Sequence, residues 1–350
     1  MTIPKTMKAA VAEAPGAPLV IRDMPVPEPR RGQFLVKLES CGVCHSDLHL
    51  RNGDENLPEE MYPLVFGHEG IGRIVAMGEG TETTLSLGDR VGLPWLYDTC
   101  LDCSPCLTGA ETFCTHQHAR GIHYHGAFAE YAILESRFAC TIPDAIDPIQ
   151  GAPLLCAGLT AWSALRKTQL RPGKSAMVIG CGGLGQYAIM IAKAHGATVV
   201  AVDRDPAKLE EARARGADHL VEAGPEAGLK VKELGGADIA GNFAPTPAVW
   251  RTIEQAVNPM SDIIAIALVH DPVPLSMMWL IDGGHRVFGS SVGSRQDLRD
   301  FLAFAARSNL AIDIETIPLS GVNAALDQLQ AGQVAGRICI DFSLPVSMAG

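Results

Sequence analysis

Met177-Val178-Ile179-Gly180-Cys181-Gly182-Gly183-Leu184-Gly185 decides how the second half of the chain folds. Three apolar strand residues run into Gly-x-Gly-x-x-Gly, and the chain leaves it on the helical run Leu184–His195. The next strand, Thr198–Val202, ends on Asp203, and the charged helical run Pro206–Gly216 follows. A glycine-rich turn alone says little. A strand before it, a helix after it and an acid closing the next strand are the context a dinucleotide fingerprint requires. Gly180 permits the tight turn, Gly182 lets the backbone approach a pyrophosphate, and Gly185 lets helix and strand pack closely. With Gly183 and Leu184 they open a helix whose unpaired N–H groups suit phosphate. Asp203 would accept hydrogen bonds from the adenosine ribose and repel a 2′-phosphate, which favours NAD over NADP. The adjacent Arg204 would tolerate that phosphate.

Outward from this stretch, strand and helix alternate from near Ala152 to about Gly289, which predicts a parallel sheet with helices on both faces. The first 150 residues are different: rich in Gly, Pro and short apolar runs, with strands at Gln33–Leu38 and Gly70–Ala76. They read as an irregular, mostly β region. Beyond the alternation come helices at Gln296–Ser308 and Gly321–Ala331 and a strand at Arg337–Phe342. A length of 350 residues suits two domains. The expected division is 1–155, with a cysteine lobe near 97–115, then a cofactor domain at 156–291, then a return to the first domain at 292–350. Hydrophobic residues make up 47% and charged ones 19%, ordinary for a soluble protein. A net charge of −11 with no basic stretch argues against nucleic acid and anionic membrane as partners. Lys5 and Lys8 precede no apolar run, so no secretory signal is read, and the longest apolar run, Ile263–Val269, is too short to span a bilayer. The expected compartment is the cytoplasm.

Four of the ten cysteines, Cys100, Cys103, Cys106 and Cys114, form C-x2-C-x2-C-x7-C. Short C-x2-C steps let one turn supply two thiolates to a tetrahedral zinc, and four thiolates close the site, so its role would be structural. Disulfides and an iron–sulfur cluster are the alternatives; without an export signal, metal is the better reading. A second constellation is dispersed: Gly42-Val43-Cys44-His45-Ser46-Asp47-Leu48-His49, then Gly67-His68-Glu69, then Leu155-Cys156-Ala157-Gly158. Two cysteines and a histidine are a known catalytic zinc set with an open fourth position. Spacing does not bring these three together: a lone cysteine is more often core, and a lone histidine beside glycines is often surface.

The order of these motifs resembles the zinc-containing medium-chain dehydrogenase/reductase family, specifically its alcohol dehydrogenases of the bacterial and yeast type, over nearly the whole chain. The resemblance rests on GVCHSD, GHEG, the four-cysteine lobe, LLCAGLT and the glycine-rich turn. It implies an α/β protein: a GroES-like, mostly β catalytic domain plus a Rossmann doubly wound parallel-sheet domain, with the active site in the cleft. It implies two zinc ions per subunit, NAD, a small alcohol or aldehyde as substrate, and a homo-oligomer, tetramer or dimer. Residue by residue, Cys44, His68 and Cys156 match the catalytic zinc ligands, Glu69 the acid behind the metal, and Asp47 the carboxylate that orients the ligand histidine. Ser46 and His49 match the proton relay. His45, Thr160 and Arg337 match cofactor contacts, and Trp95 matches a substrate-pocket aromatic, its alternative being an ordinary core tryptophan. Three stretches depart from the pattern. Gly53-Asp54-Glu55 stands where relatives often carry Gly-Asp-Trp, and Gly241–Ala244 and Ala265–Val269 lack the usual glycine-bearing turns. Alternatives are therefore a dehydrogenase for polyols, formaldehyde adducts or bulky aromatic alcohols, and a zinc- and nucleotide-binding protein without turnover. His123 and His125 read as turn histidines, a second metal being the alternative.

Overall fold

The computed structural model describes residues 2–269 and 271–346. It divides into two compact units, Met1–Cys156 with Ser294–Gly350, and Ala157–Gly293.

The first unit is organised on one strand, Gln33–Val43, buried along most of its length. It pairs antiparallel with Gly70–Met77, with Tyr131–Glu135 and with the late strand Arg337–Asp341. The last pairing sets Ile338 opposite Val43, so Arg337 arrives beside the strand end from which Cys44 follows. The strand runs five residues past the Leu38 end read from sequence. It carries the polar Ser40 into the interior because that hydroxyl donates to the Pro148 carbonyl at 2.8 Å. Phe34, Val36, Leu38, Phe66, Ile74, Phe128, Leu326 and Ile340 build the core around it. A smaller antiparallel sheet joins Val20–Pro25, Thr6–Ala12 and Leu64–Val65.

The second unit holds a six-stranded, all-parallel sheet. Its order is His219–Glu222, Thr198–Asp203, Ser175–Ile179, Ala237–Asn242, Val257–Ala265, Arg286–Gly289. In chain order this is 3-2-1-4-5-6, the doubly wound arrangement, whose switch point lies beside Ser175–Ile179. Buried Met177, Ile179, Val200, Val202, Ile253 and Ile263 form its own core. The divisions expected at 155/156 and 291/292 fall at 156/157 and 293/294. Cys156 closes the short turn Ala152–Leu155, whose Leu155 packs within the first unit, and the helix Ala157–Arg166 opens the second. Among the described residues no helix is long and apolar enough to cross a membrane.

Candidate active site and metal centres

Three segments of the first unit converge on one buried point. Cys44 is the N-cap of the helix His45–Asn52. His68 and Glu69 lie in the turn before Gly70–Met77, and Cys156 ends the turn Ala152–Leu155. The ligand atoms of Cys44, His68, Glu69 and Cys156 all lie within 4.8 Å of one another. The two sulfurs stand 4.0 Å apart. A tetrahedral zinc with Zn–S bonds of about 2.3 Å needs an S–S edge of about 3.8 Å. His68 is fully buried, and neither of its ring nitrogens makes a hydrogen bond within the described chain. Buried polar atoms are normally satisfied, so an imidazole left this way beside two thiols fits a metal ion.

The surroundings hold this set in place. The Asp47 carboxylate accepts from the Cys44 N–H at 2.9 Å and the Gly67 N–H at 3.0 Å, and stands 3.4 Å from His68 Nδ1. It ties together two ligand-bearing segments. The Cys156 hydrogen bond holds the Cys44 thiol well below its ordinary range against burial, with His68 and Arg337 adding to the effect. The same bond, together with burial, pushes Cys156 up. Burial raises Glu69 to about 7, opposed by the charge of Arg337. A Cβ on Gly42 would fall 1.9 Å from Glu69 Oε2, so glycine at 42 makes room for that carboxylate. Trp95 sets its ring against His68 in a T-shaped contact, centroids 5.0 Å apart.

Arg337 is where the structure adds most to the reading from sequence. Its guanidinium pairs with both oxygens of Glu69 behind the ligand cluster, and its Nε is buried without a partner. A cofactor contact is expected of it from sequence; the structure instead gives it a direct link to Glu69 of the ligand cluster. The antiparallel register that brings it there is a long-range pairing that no local pattern announces. Ser46 keeps its hydroxyl 3.9 Å from Cys44 Sγ. His45 lies exposed on the first turn of the same helix, and His49 is half-exposed near its end.

The second cluster is more open. Cys100–Cys114 and Cys103–Cys106 sulfurs are 3.5 Å apart, and Cys100–Cys106 are 3.9 Å apart. These spacings bracket the edge of one zinc tetrahedron and leave no space between the sulfurs for a cluster of irons. All ten cysteines are free thiols, so no disulfide is formed. Backbone N–H groups of Asp102 and Cys103 lower the Cys100 thiol to about 6. The lobe is clamped by buried Glu111, which accepts from the backbone N–H and the Nε of Arg295 at 3.0 and 2.8 Å. His123 and His125 each accept from a backbone N–H, of Ala119 and Val65, and belong to no metal-ligating group among the described residues.

In the second unit the fingerprint lies at the carboxyl end of the central strand. Gly180 has φ +94°, and a Cβ on Gly185 would fall 1.9 Å from the Gly180 oxygen. A Cβ on Gly182 would meet nothing within 4 Å. That open space lies before the helix Gly183–Ala194, including Leu184, whose first turn no side chain caps. Asp203 ends the neighbouring strand, its carboxylate held by N–H groups of Cys181 and Asp205 at 2.7 and 3.0 Å. Arg204 beside it is exposed. These residues fit a dinucleotide: open backbone donors for phosphate and a fixed carboxylate for ribose. Thr160 is buried in the helix Ala157–Arg166. At Gly241–Ala244 the turn is closed by Asn242, whose side-chain oxygen accepts from the Ala244 N–H at 3.0 Å.

Comparison with known proteins agrees with both halves. Residues 30–144 match the profile of the alcohol dehydrogenase GroES-like domain, and residues 183–307 that of zinc-binding dehydrogenase. An alcohol dehydrogenase of Geobacillus stearothermophilus is 37% identical over 336 residues, 95% of this chain and 98% of that one. Among solved structures, a cinnamyl alcohol dehydrogenase from Sorghum bicolor superposes with a TM-score of 0.88 at 28% identity, covering 99% of this chain and 100% of that one. An acetophenone reductase from Geotrichum candidum in complex with NAD gives 0.85 at 26% identity, covering 97% and 98%. The chain belongs to the zinc-containing medium-chain dehydrogenase/reductase family, among its alcohol dehydrogenases.

Proposed function

We propose that the protein interconverts alcohols with aldehydes or ketones, with zinc at Cys44, His68 and Cys156 and NAD on the Gly180–Gly185 turn and Asp203. The observation that carries this is the convergence of Cys44, His68 and Cys156, three residues distant in sequence whose ligand atoms lie within 4.8 Å of one another. Bound there, zinc supplies Lewis acidity toward a substrate oxygen and NAD a hydride acceptor. The chain's own groups manage the proton and the fit. Ser46 takes the proton released by the substrate, and half-exposed His49 passes it to water. Asp47 orients His68, while Arg337 opposes the effect of burial on Glu69 and holds that carboxyl behind the ligands. Trp95 walls the substrate side of His68. A second zinc in the four-cysteine lobe holds that lobe's shape.

Bulky aromatic alcohols and ketones are the favoured substrates within this class. Glu55, an exposed acid, stands where the family resemblance often has a tryptophan, and the similar solved structures include enzymes named for cinnamyl alcohol and acetophenone. Cysteines grouped as metal ligands suit the cytoplasm. A homo-oligomer, dimer or tetramer, is favoured by the apolar side chains exposed around Met277–Gly283, beside the sheet's edge strand Arg286–Gly289.

The deciding experiment is metal analysis joined to cofactor reduction across aliphatic, polyol and aromatic alcohols with NAD and NADP. Two zinc ions per chain and NAD-linked turnover are expected. Cys44→Ala should keep the fold and lose turnover; full activity in that variant would end the zinc reading.

A further inference from the structure

We propose that Asp54 is a positioning residue for His49, fixing both the direction of its ring and the nitrogen that carries its proton. The proposal deepens the relay reading of His49 and rests on it. The helix His45–Asn52 ends in a tight reversal at Gly53, with φ +80°. The Gly53 N–H bonds to the Leu50 carbonyl at 3.1 Å and the Asp54 N–H to the His49 carbonyl at 3.0 Å. These are the two bonds of the Schellman helix ending that glycine makes accessible. The reversal carries the Asp54 side chain back over the helix, where its Oδ2 meets His49 Nδ1 at 2.8 Å. Asp54 therefore grips His49 at two points, main chain and ring.

A carboxylate accepts only, so Nδ1 must carry the hydrogen in this contact, which leaves the lone pair of the neutral ring on Nε2. A base that is to receive a proton at Nε2 needs that tautomer and that orientation. The nearby cation does not compete for Asp54. Arg51 is taken by Asp327 at 2.6 Å and Gln330 at 2.8 Å, on the helix Val322–Gln330. On the loop that abuts Gly53, Glu13 is paired with Arg22. With His49 and Asp54 side chains 39% and 51% exposed, the pair contributes little to stability, so its loss should leave the fold intact.

The test uses protein labelled with ¹⁵N-histidine, with His49 assigned by Asp54-independent loss of its signals in His49→Gln. In the cofactor-free wild type the His49 hydrogen should sit on Nδ1; in Asp54→Ala it should redistribute toward Nε2, with an unchanged melting temperature. In turnover, Asp54→Ala should lower kcat about tenfold, part of the contribution of a positioned general base, with KM within about twofold. Asp54→Asn, whose amide oxygen can still accept, should recover part of the loss. In the His49→Gln background the Asp54→Ala change should have no further effect. If His49→Gln itself keeps wild-type turnover, the relay reading falls and this role with it. If His49→Gln loses turnover while Asp54→Ala alters neither tautomer nor kcat, or lowers kcat equally without His49, only the role of Asp54 is overturned.

Discussion

At Asp47 one buried carboxylate faces the N–H of Cys44, the N–H of Gly67 and the ring of His68. Its neighbours are the two segments that bear ligands, so changing it should loosen the metal rather than the fold core. Asp47→Asn replaces an acceptor with a group that must present an N–H to one of these donors. Zinc affinity should fall by about 10- to 100-fold, as for other outer partners of metal ligands, read by chelator competition. Asp203 makes a second prediction at this scale. Its oxygens are fixed by Cys181 and Asp205, so they cannot swing from a 2′-phosphate. Asp203→Ser should raise the NADP-to-NAD ratio of kcat/KM by at least about tenfold, some 1.4 kcal/mol, with exposed Arg204 available to the phosphate. An unchanged ratio would remove Asp203 from the cofactor site. Residues such as Asp203 are legible because one continuous strand–turn–helix–strand unit places them. Arg337 is not, since its place beside Glu69 is fixed by the pairing of strands nearly 300 residues apart.

The four-cysteine lobe is an element whose spacing reveals its metal but not its anchor. Glu111 lies within the lobe, while Arg295 opens the helix Arg295–Ala305 from the far end of the chain, its guanidinium also over the Phe138 ring at 4.5 Å. No local pattern links the two. Burial opposes the Glu111 charge, but hydrogen bonds from Arg295 and its cation prevail and hold the carboxyl below the usual glutamate range. A depressed folded value means that the stabilisation is complete above the ordinary glutamate pKa of about 4.3 and is lost as pH falls through the depressed value. Wild-type and Glu111→Gln should therefore differ in melting temperature at neutral pH, with the gap closing in acid. Arg295→Ala, which strands a buried carboxylate, should cost about 2–4 kcal/mol at neutral pH by denaturant unfolding. A gap independent of pH would show that the clamp is not ionic. Elements with a strong local signature, the fingerprint turn and the helix after it, fall within a residue of their sequence reading. The strand Gln33–Val43 does not, because a buried Ser40 breaks the apolar run and is satisfied only by distant Pro148.

At the scale of the whole molecule, the second unit leaves one side unfinished. Met277, Met278 and Ile281 are 64%, 62% and 68% exposed, and Met260 and Leu268 are exposed as well. The first three lie on the helix Met277–Gly283, Met260 on the strand Val257–Ala265 and Leu268 just after it; next in the sheet comes Arg286–Gly289, a strand paired on one side only among the described residues. Singly exposed apolar residues are ordinary; a group of them along an open sheet edge is a site of association. The homo-oligomer proposed above would use it, since two identical edges related by a twofold axis run antiparallel and can continue one sheet into the other. A charge in such an interface has no partner and is desolvated. Ile281→Glu should therefore shift the protein from oligomer toward monomer by light scattering, while zinc content and circular dichroism stay unchanged. An exposed isoleucine on a true monomer would give the same mass before and after the substitution, and that result would leave this edge solvated and place any assembly elsewhere.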